Sequence, residues 1–413
     1  MNTDSTGMNR RGLLRLGGKT GFVLATGQFL TACPAPNPGP GPSTTAGPTT
    51  TGGPTTTTTT TSTTTTTVPP GWTGYGPLGA ADVNGLRLPS GFTSRVVATT
   101  GQTVGSTGYV WPADPDGAAT FPRAGGGWIY VANHETSLPN GGVSRLEFDA
   151  SGTIVAAGRI LSGSDRNCAG GATPWGTWLS GEEVSRGKVW ECDPTGATPA
   201  VARPAMGLFT HEAVAVHPAD ETLYLTEDRP DGGLYRFLPT AYPDLSAGAL
   251  EVLTESAGVL SWQVVPDPSA ATTSTRLQIA STKRFNGGEG ICHLDGAMYF
   301  TTKGDNRVWR YVPATNALTV VYDVAASPTP VLSGVDNVTV LPTGDLYVAE
   351  DGGDMQIVML SGTLAQAVVQ LDGVAGSEMT GVIFDPSMTR MYVSSQRNPG
   401  RTYEISGPWR TAL

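Results

Sequence analysis

Leu346-Tyr347-Val348-Ala349-Glu350-Asp351-Gly352-Gly353-Asp354-Met355-Gln356-Ile357-Val358 reads as an apolar strand, an acidic glycine turn and a second apolar strand, the pattern of an antiparallel hairpin. Five other segments share this form. They are Trp128-Ile129-Tyr130-Val131 with Val143 to Phe148, Thr177-Trp178-Leu179-Ser180 with Lys188-Val189-Trp190, and Leu223-Tyr224-Leu225-Thr226 with Leu234 to Phe237. Met298-Tyr299-Phe300-Thr301 with Arg307 to Tyr311, and Met391-Tyr392-Val393-Ser394 with Thr402 to Ile405, complete the set. The first strands start at 128, 178, 223, 298, 346 and 391, so the intervals run 50, 45, 75, 48 and 45, and such periods belong to propeller blades. A further short strand precedes most hairpins, as in Ala213 to Val216, Val338 to Val340 and Gly381 to Phe384. The expected fold is therefore all-β, a six-bladed β-propeller, with residues 240–281 as an insertion projecting from a blade in the long interval.

Upstream of this repeat the chain changes character. Asn9-Arg10-Arg11-Gly12-Leu13-Leu14-Arg15 places a twin arginine before the apolar run Thr20 to Leu30, which is too short to span a bilayer and reads as a Tat-type export signal. Leu30-Thr31-Ala32-Cys33 closes that run as a lipoprotein cleavage site would, with Cys33 as the acylated residue. Residues 1–32 are thus expected to be a Tat-type lipoprotein signal and residues 33–70, almost entirely Pro, Gly and Thr, a disordered tether. Residues 71–413 form a single propeller domain in this reading, and the protein is expected to be a monomer outside the cytoplasm, lipid-anchored at the envelope or released.

Removing residues 1–32 takes away Arg10, Arg11, Arg15 and Lys19 against Asp4, which moves the formal net charge from −10 to −13. So acidic a chain argues against nucleic acid as a partner, and a site for anionic substrates within it needs bound cations. Cys168, Cys192 and Cys292 remain after Cys33. The count is odd, so at least one thiol stays unpaired.

In an antiparallel blade the start of the innermost strand and the end of the second lie at one face. Inner-strand starts carry His211-Glu212, Glu289, Asp336-Asn337 and Glu378, and Asn167-Cys168-Ala169 precedes the second blade in the same way. Second-strand ends carry Asn133-His134-Glu135, Glu182-Glu183, Glu227-Asp228 and Glu350-Asp351. All should ring one mouth of the central channel. Carboxylates so crowded raise one another's pKa unless metal ions intervene; many oxygen ligands suit calcium, and a thiolate among them suits a transition metal. Cys192 and Cys292 read as core residues, His217 and His293 as turn residues on the far face, and His134 and His211 as ligands or their supports. No Walker A loop or H-E-x-x-H motif occurs, which leaves metal chemistry as the expected chemistry.

Several of these segments resemble the PhoX family of bacterial alkaline phosphatases. They are Asn167 to Leu179 with Gly181-Glu182-Glu183, Phe209-Thr210-His211-Glu212-Ala213, Leu225-Thr226-Glu227-Asp228, Phe285 to Gly290, Thr301 to Asp305, Val335-Asp336-Asn337 and Ala349 to Gly353. The resemblance implies two ferric ions and calcium ions bridged by an oxo group, and hydrolysis of phosphate monoesters. It implies Cys168 as an iron ligand, Glu183, Glu212 and Glu289 shared between Fe3+ and Ca2+, Glu350 and Glu378 on the calcium side, and Asp228, Asp336 and Asn337 as further metal candidates. Glu289 would also stand at the catalytic centre. One departure stands out: Gly287 occupies the position where larger members place an arginine two residues before the glutamate. Arg284 is the expected catalytic replacement, with Lys283, Lys303 and Arg397 as the other candidates. Two competing readings are a lactonase-like propeller hydrolase with one axial calcium, which gives Cys168 no role, and a non-catalytic calcium-binding propeller that holds a surface ligand.

Overall fold

A computed structural model describes residues 72–412; the signal, Cys33 and the tether lie outside the described residues. Among these, the strands form six antiparallel sheets, each running outward from its inner strand in chain order except where an N-terminal strand is added at the outer edge of two of them. The inner strands are Pro115–Pro122, Asn167–Ala172, His211–His217, Gly288–Leu294, Val335–Val340 and Met379–Phe384. Each packs against the inner strands of its two neighbours, and the last packs against the first. The six blades expected from the repeat are present.

The ring closes on a strand that lies far from the others in sequence. Thr93–Thr99 pairs with Arg401–Ser406 and becomes the outer strand of the sixth blade. Leu86–Arg87 similarly adds an edge to the fifth, pairing with Leu364–Leu371. Residues 240–281 extend the third blade: Asp244–Ser256 is its fourth strand and Val259–Val264 a fifth, after which the chain returns through a loop containing the short 3-10 turn Thr275–Leu277.

Buried apolar side chains divide into six clusters, each filling the gap between two adjacent blades. The tyrosine of the hairpin motif serves this gap: Tyr224, Tyr347 and Tyr392 are fully buried, and Tyr392 meets Tyr130 of the neighbouring blade with ring centroids 5.0 Å apart. The axis is built differently. It is lined by small residues, because six backbones converge there; a Cβ on Gly117 would lie 2.5 Å from Ala169 Cα, and one on Gly290 would lie 2.5 Å from Val338 N.

Candidate metal centre

Every inner strand carries a β-bulge near its start, where its pairing with the second strand shifts. A bulge re-aims the side chain it contains. In five blades the residue entering the bulge is Asp116, Cys168, Glu212, Glu289 or Asp336, so one local irregularity, repeated around the ring, points five ligand-type groups at a common point on the axis. The sixth blade has Gly381 in that register and supplies Glu378 from just before the strand instead.

These groups line a polar cavity of about 290 Å³ together with Glu135, Glu183 and Asp351 and the cations Arg166, Lys303 and Arg397. Within it, Asp116, Glu135 and Cys168, then Cys168, Glu183 and Glu212, then Glu212, Glu289 and Asp336, form three groups whose ligand atoms lie within 4.8 Å of one another. Consecutive groups share a residue, which suits adjacent ions with bridging ligands. Two unit charges 4.8 Å apart repel by about 3.5 kcal/mol at an effective dielectric constant of roughly 20.

The cluster carries the signature of a missing counter-charge. Both carboxylate oxygens of Glu212, and Oδ1 of Asp116, are buried without a hydrogen-bond partner. Burial, then the neighbouring acids, pushes the carboxyls of Asp116 and Glu212 well above the usual range. Burial also raises Glu289 well above it, although Lys303 opposes the shift. Burial followed by Glu135 and Asp228 brings Glu183 to about 8, and burial followed by Asp336 and Asp351 brings Glu378 to about 9. The Cys168 thiol, with Sγ 3.6 Å from Asp116 Oδ2, is raised by burial and then by Asp116. Each of these shifts reverses next to a cation, so the donor set fits metal: oxygens in the number calcium takes, and a thiol where a transition metal would bind.

Several expected site residues fall elsewhere. Glu350 turns back into its own hairpin, where Oε1 accepts from Ser333 N at 2.9 Å and Oε2 from Gln356 N at 3.2 Å; its neighbour Asp351 lines the cavity. Glu182 and Glu227 do likewise, taking Trp190 Nε1 at 2.9 Å and the Tyr235 hydroxyl at 2.8 Å, while Glu183 lines the cavity and Asp228, an expected metal candidate, acts on it from outside that lining. Side chains alternate along a strand, so only the residue after the strand-ending glutamate points to the axis. Asn337 supports the site without lining it: its amide donates to Asp336 Oδ1 at 2.9 Å and its Oδ1 accepts from Gly381 N, bracing the inner ring. Arg284 is exposed, donating to Asp231 O at 3.0 Å, and Lys283 pairs with Glu255 at 2.7 Å.

Lys303 is in the cavity instead. Its Nζ lies 3.1 Å from Glu289 Oε1 and 3.2 Å from Asp351 Oδ2. Its backbone N–H bonds to Gly287 O at 2.8 Å, so this cation stands beside the position that the arginine vacates. Arg397 bridges Glu378 at 3.0 Å and Glu135 at 3.3 Å. His134 and His211 lie outside the cavity lining, with His134 Nδ1 at 3.0 Å from Ala113 O and His211 Nε2 at 2.9 Å from Gly207 O. Burial pushes them down to about 3 and about 4. Among the described residues, Cys168, Cys192 and Cys292 are all free. Asp116 escaped the sequence reading because Asp114-Pro115-Asp116-Gly117 has the composition of a turn; its register before the Trp128 strand was the available signal.

The family described as alkaline phosphatase PhoX matches residues 138–400. The chain belongs to the PhoX family. Among solved structures, Pseudomonas fluorescens PhoX in complex with vanadate, a transition state analogue, superposes with a TM-score of 0.66 at 16% identity, over 80% of this chain and 97% of that one. That likeness agrees with the PhoX fold. A gluconolactonase from Xanthomonas campestris is similar over 81% of this chain and 98% of its own, with 14% identity and a TM-score of 0.48. Comparison with curated proteins gives no match. The match to PhoX begins after Asp116 and Glu135, so these two join the site through their place in the first blade.

Proposed function

We propose that this chain is an exported phosphatase that hydrolyses small phosphate monoesters at the axial cavity with Fe3+ and Ca2+ bound. The observation that carries the reading is a thiol and a set of buried carboxyls converging in numbers that three cations cannot balance, in a cavity where those same cations face an incoming anion. Cys168, with Asp116, Glu135, Glu183 and Glu212, would hold iron; Glu212, Glu289 and Asp336 would hold calcium, with Glu378 beside them. When bound, such ions supply Lewis acidity and a nucleophile near neutral pH.

Lys303 and Arg397 take the outer phosphate oxygens and fix the orientation of the ester bond. Arg166 stands at the same wall. Among the described residues, no serine or threonine hydroxyl lines the cavity, which supports direct attack on phosphorus over a phosphoserine route. Water is consumed, the P–O ester bond breaks, and phosphate and the alcohol leave. Export by the Tat route, a lipid anchor on Cys33 and a monomeric state belong to the same proposal and rest on the sequence of the first seventy residues and on the acidity of the chain.

Metal analysis of purified protein and an aryl phosphate assay at alkaline pH with calcium test the reading. Iron and calcium together with phosphate release are expected. Protein that binds no iron, or that is metal-replete and inert, overturns it.

A further inference from the structure

The segment that leaves the third blade after Val264 returns along the loops of blades two and three and closes a second cavity of about 240 Å³ against them. Its wall includes Ser185, Arg186, Thr210, Arg229, Thr272 and Ser274. A third arginine there, Arg276, is already neutralised, with Glu227 at 3.0 Å and Asp231 at 2.7 Å. Arg186 and Arg229 form no ion pair among the described residues. Arg186 Nε donates to Ser269 O at 3.1 Å and Arg229 Nε to Thr210 Oγ1 at 2.9 Å, so both guanidinium groups are anchored through Nε and keep terminal N–H donors for a ligand. Two guanidinium groups outside any ion pair, set among hydroxyls, are a receptor for an anion with several oxygens.

The position of this cavity says which anion. Arg186 follows Glu183 by three residues, Arg229 adjoins Asp228, and Thr210 precedes Glu212 by two. Glu183 lines the acid cavity and lies close enough to Asp228 for that acid to raise its pKa, so the second cavity lies on the chain segments that flank the acid cluster. An ester whose phosphoryl group is held at the metals would place the second cavity within reach of its alcohol portion. We propose that the second cavity binds a further anionic group on the alcohol, so that the substrates are phosphate monoesters whose alcohol carries another phosphoryl or carboxylate group. This rests on the phosphatase reading for its catalytic side only; the anion pocket itself stands on Arg186 and Arg229.

The test compares metal-loaded full chain on propyl phosphate, propane-1,3-diol bisphosphate and 3-phosphooxypropanoate. We expect kcat/KM to be at least tenfold higher for one or both esters of the anionic alcohols than for propyl phosphate, and that ratio to collapse in Arg186→Ala and Arg229→Ala through a rise in KM. Which compound gains tells a phosphoryl from a carboxylate ligand. A ratio near one in the wild type, or one that both variants retain, overturns the proposal. Calorimetric binding of propane-1,3-bisphosphonate separates the two readings. If no ester is hydrolysed, the phosphatase reading fails, yet a tenfold loss of affinity in Arg186→Ala still supports the anion pocket; affinity equal in both proteins refutes it. Arg186 is exposed, so its variant is expected to fold normally.

Discussion

Glu212 is fully buried with neither carboxylate oxygen hydrogen-bonded, an arrangement that costs the metal-free protein several kcal/mol if the group is charged or the work of protonating it otherwise. Glu212→Gln removes that cost and also removes a ligand shared by two of the three groups. Its metal-free melting temperature should rise by several degrees over wild type, while calcium and iron affinity fall at least tenfold; thermal melts in chelator, paired with metal titration, read both. A lower metal-free melting temperature would mean that Glu212 is satisfied by something other than metal. Cys168 supplies the one soft ligand. Metal must displace a proton that burial and Asp116 hold tightly, so Cys168→Ser should lose most bound iron and any thiolate-to-iron visible absorption, yet keep calcium. Elemental analysis and an absorption spectrum decide it, and unchanged iron would remove Cys168 from the site.

At the scale of the strand, the bulge both aims the ligand and forces the next residue against a neighbouring backbone. Ala169 and Ala213 follow Cys168 and Glu212, whereas Gly117 and Gly290 follow Asp116 and Glu289, where a Cβ on Gly290 would also stand 2.8 Å from Asn337 Cα. Gly290→Ala should therefore destabilise the fold by about 2 kcal/mol and loosen the Glu289–Asp336 pair, seen as a lower urea midpoint and weaker calcium binding. A neutral effect would show that the inner ring is free to expand. Reading the sequence located Cys168, Glu212, Glu289 and Asp336 because each directly precedes a recognisable inner strand. It chose Glu350 where Asp351 faces the axis, because chain position alone does not give side-chain parity at a turn. Asp116 was hidden by the turn-like Pro115 and Gly117, and Arg284 was preferred over Lys303 because proximity along the chain says little about which hairpin reaches the cavity. Lys303 comes from the far end of the second strand, across the pair from Gly287.

For the whole molecule, the period of the hairpins was enough for six blades, but closure was not legible: Thr93–Thr99 finds Arg401–Ser406 only once the ring has brought both chain ends together. Closure also fixes the electrostatic problem, because every blade delivers an acid or a thiol to one axis and the cavity has only Arg166, Lys303 and Arg397 with which to answer. In the metal-free state the buried carboxyls must keep protons. Asp336 is raised to about 7 by burial and nearby acids against the pull of Lys303, Glu183 to about 8 and Glu378 to about 9. Their folded pKa values exceed the unfolded ones, near 4, so the unfolded chain releases these protons first. Their contribution to stability is complete below about pH 4 and is lost as pH rises through 7, 8 and 9, each group removing about 1.4 kcal/mol per pH unit across its interval. Metal-free protein should accordingly melt at progressively lower temperature from pH 5 to pH 9 in chelator. With iron and calcium bound the acids have counter-charges, and the same scan should be nearly flat or rise, since metal competes with protons for the ligands. The difference between the two scans measures how far the fold depends on its ions, and parallel scans would show that the acid ring is neutralised by something other than metal.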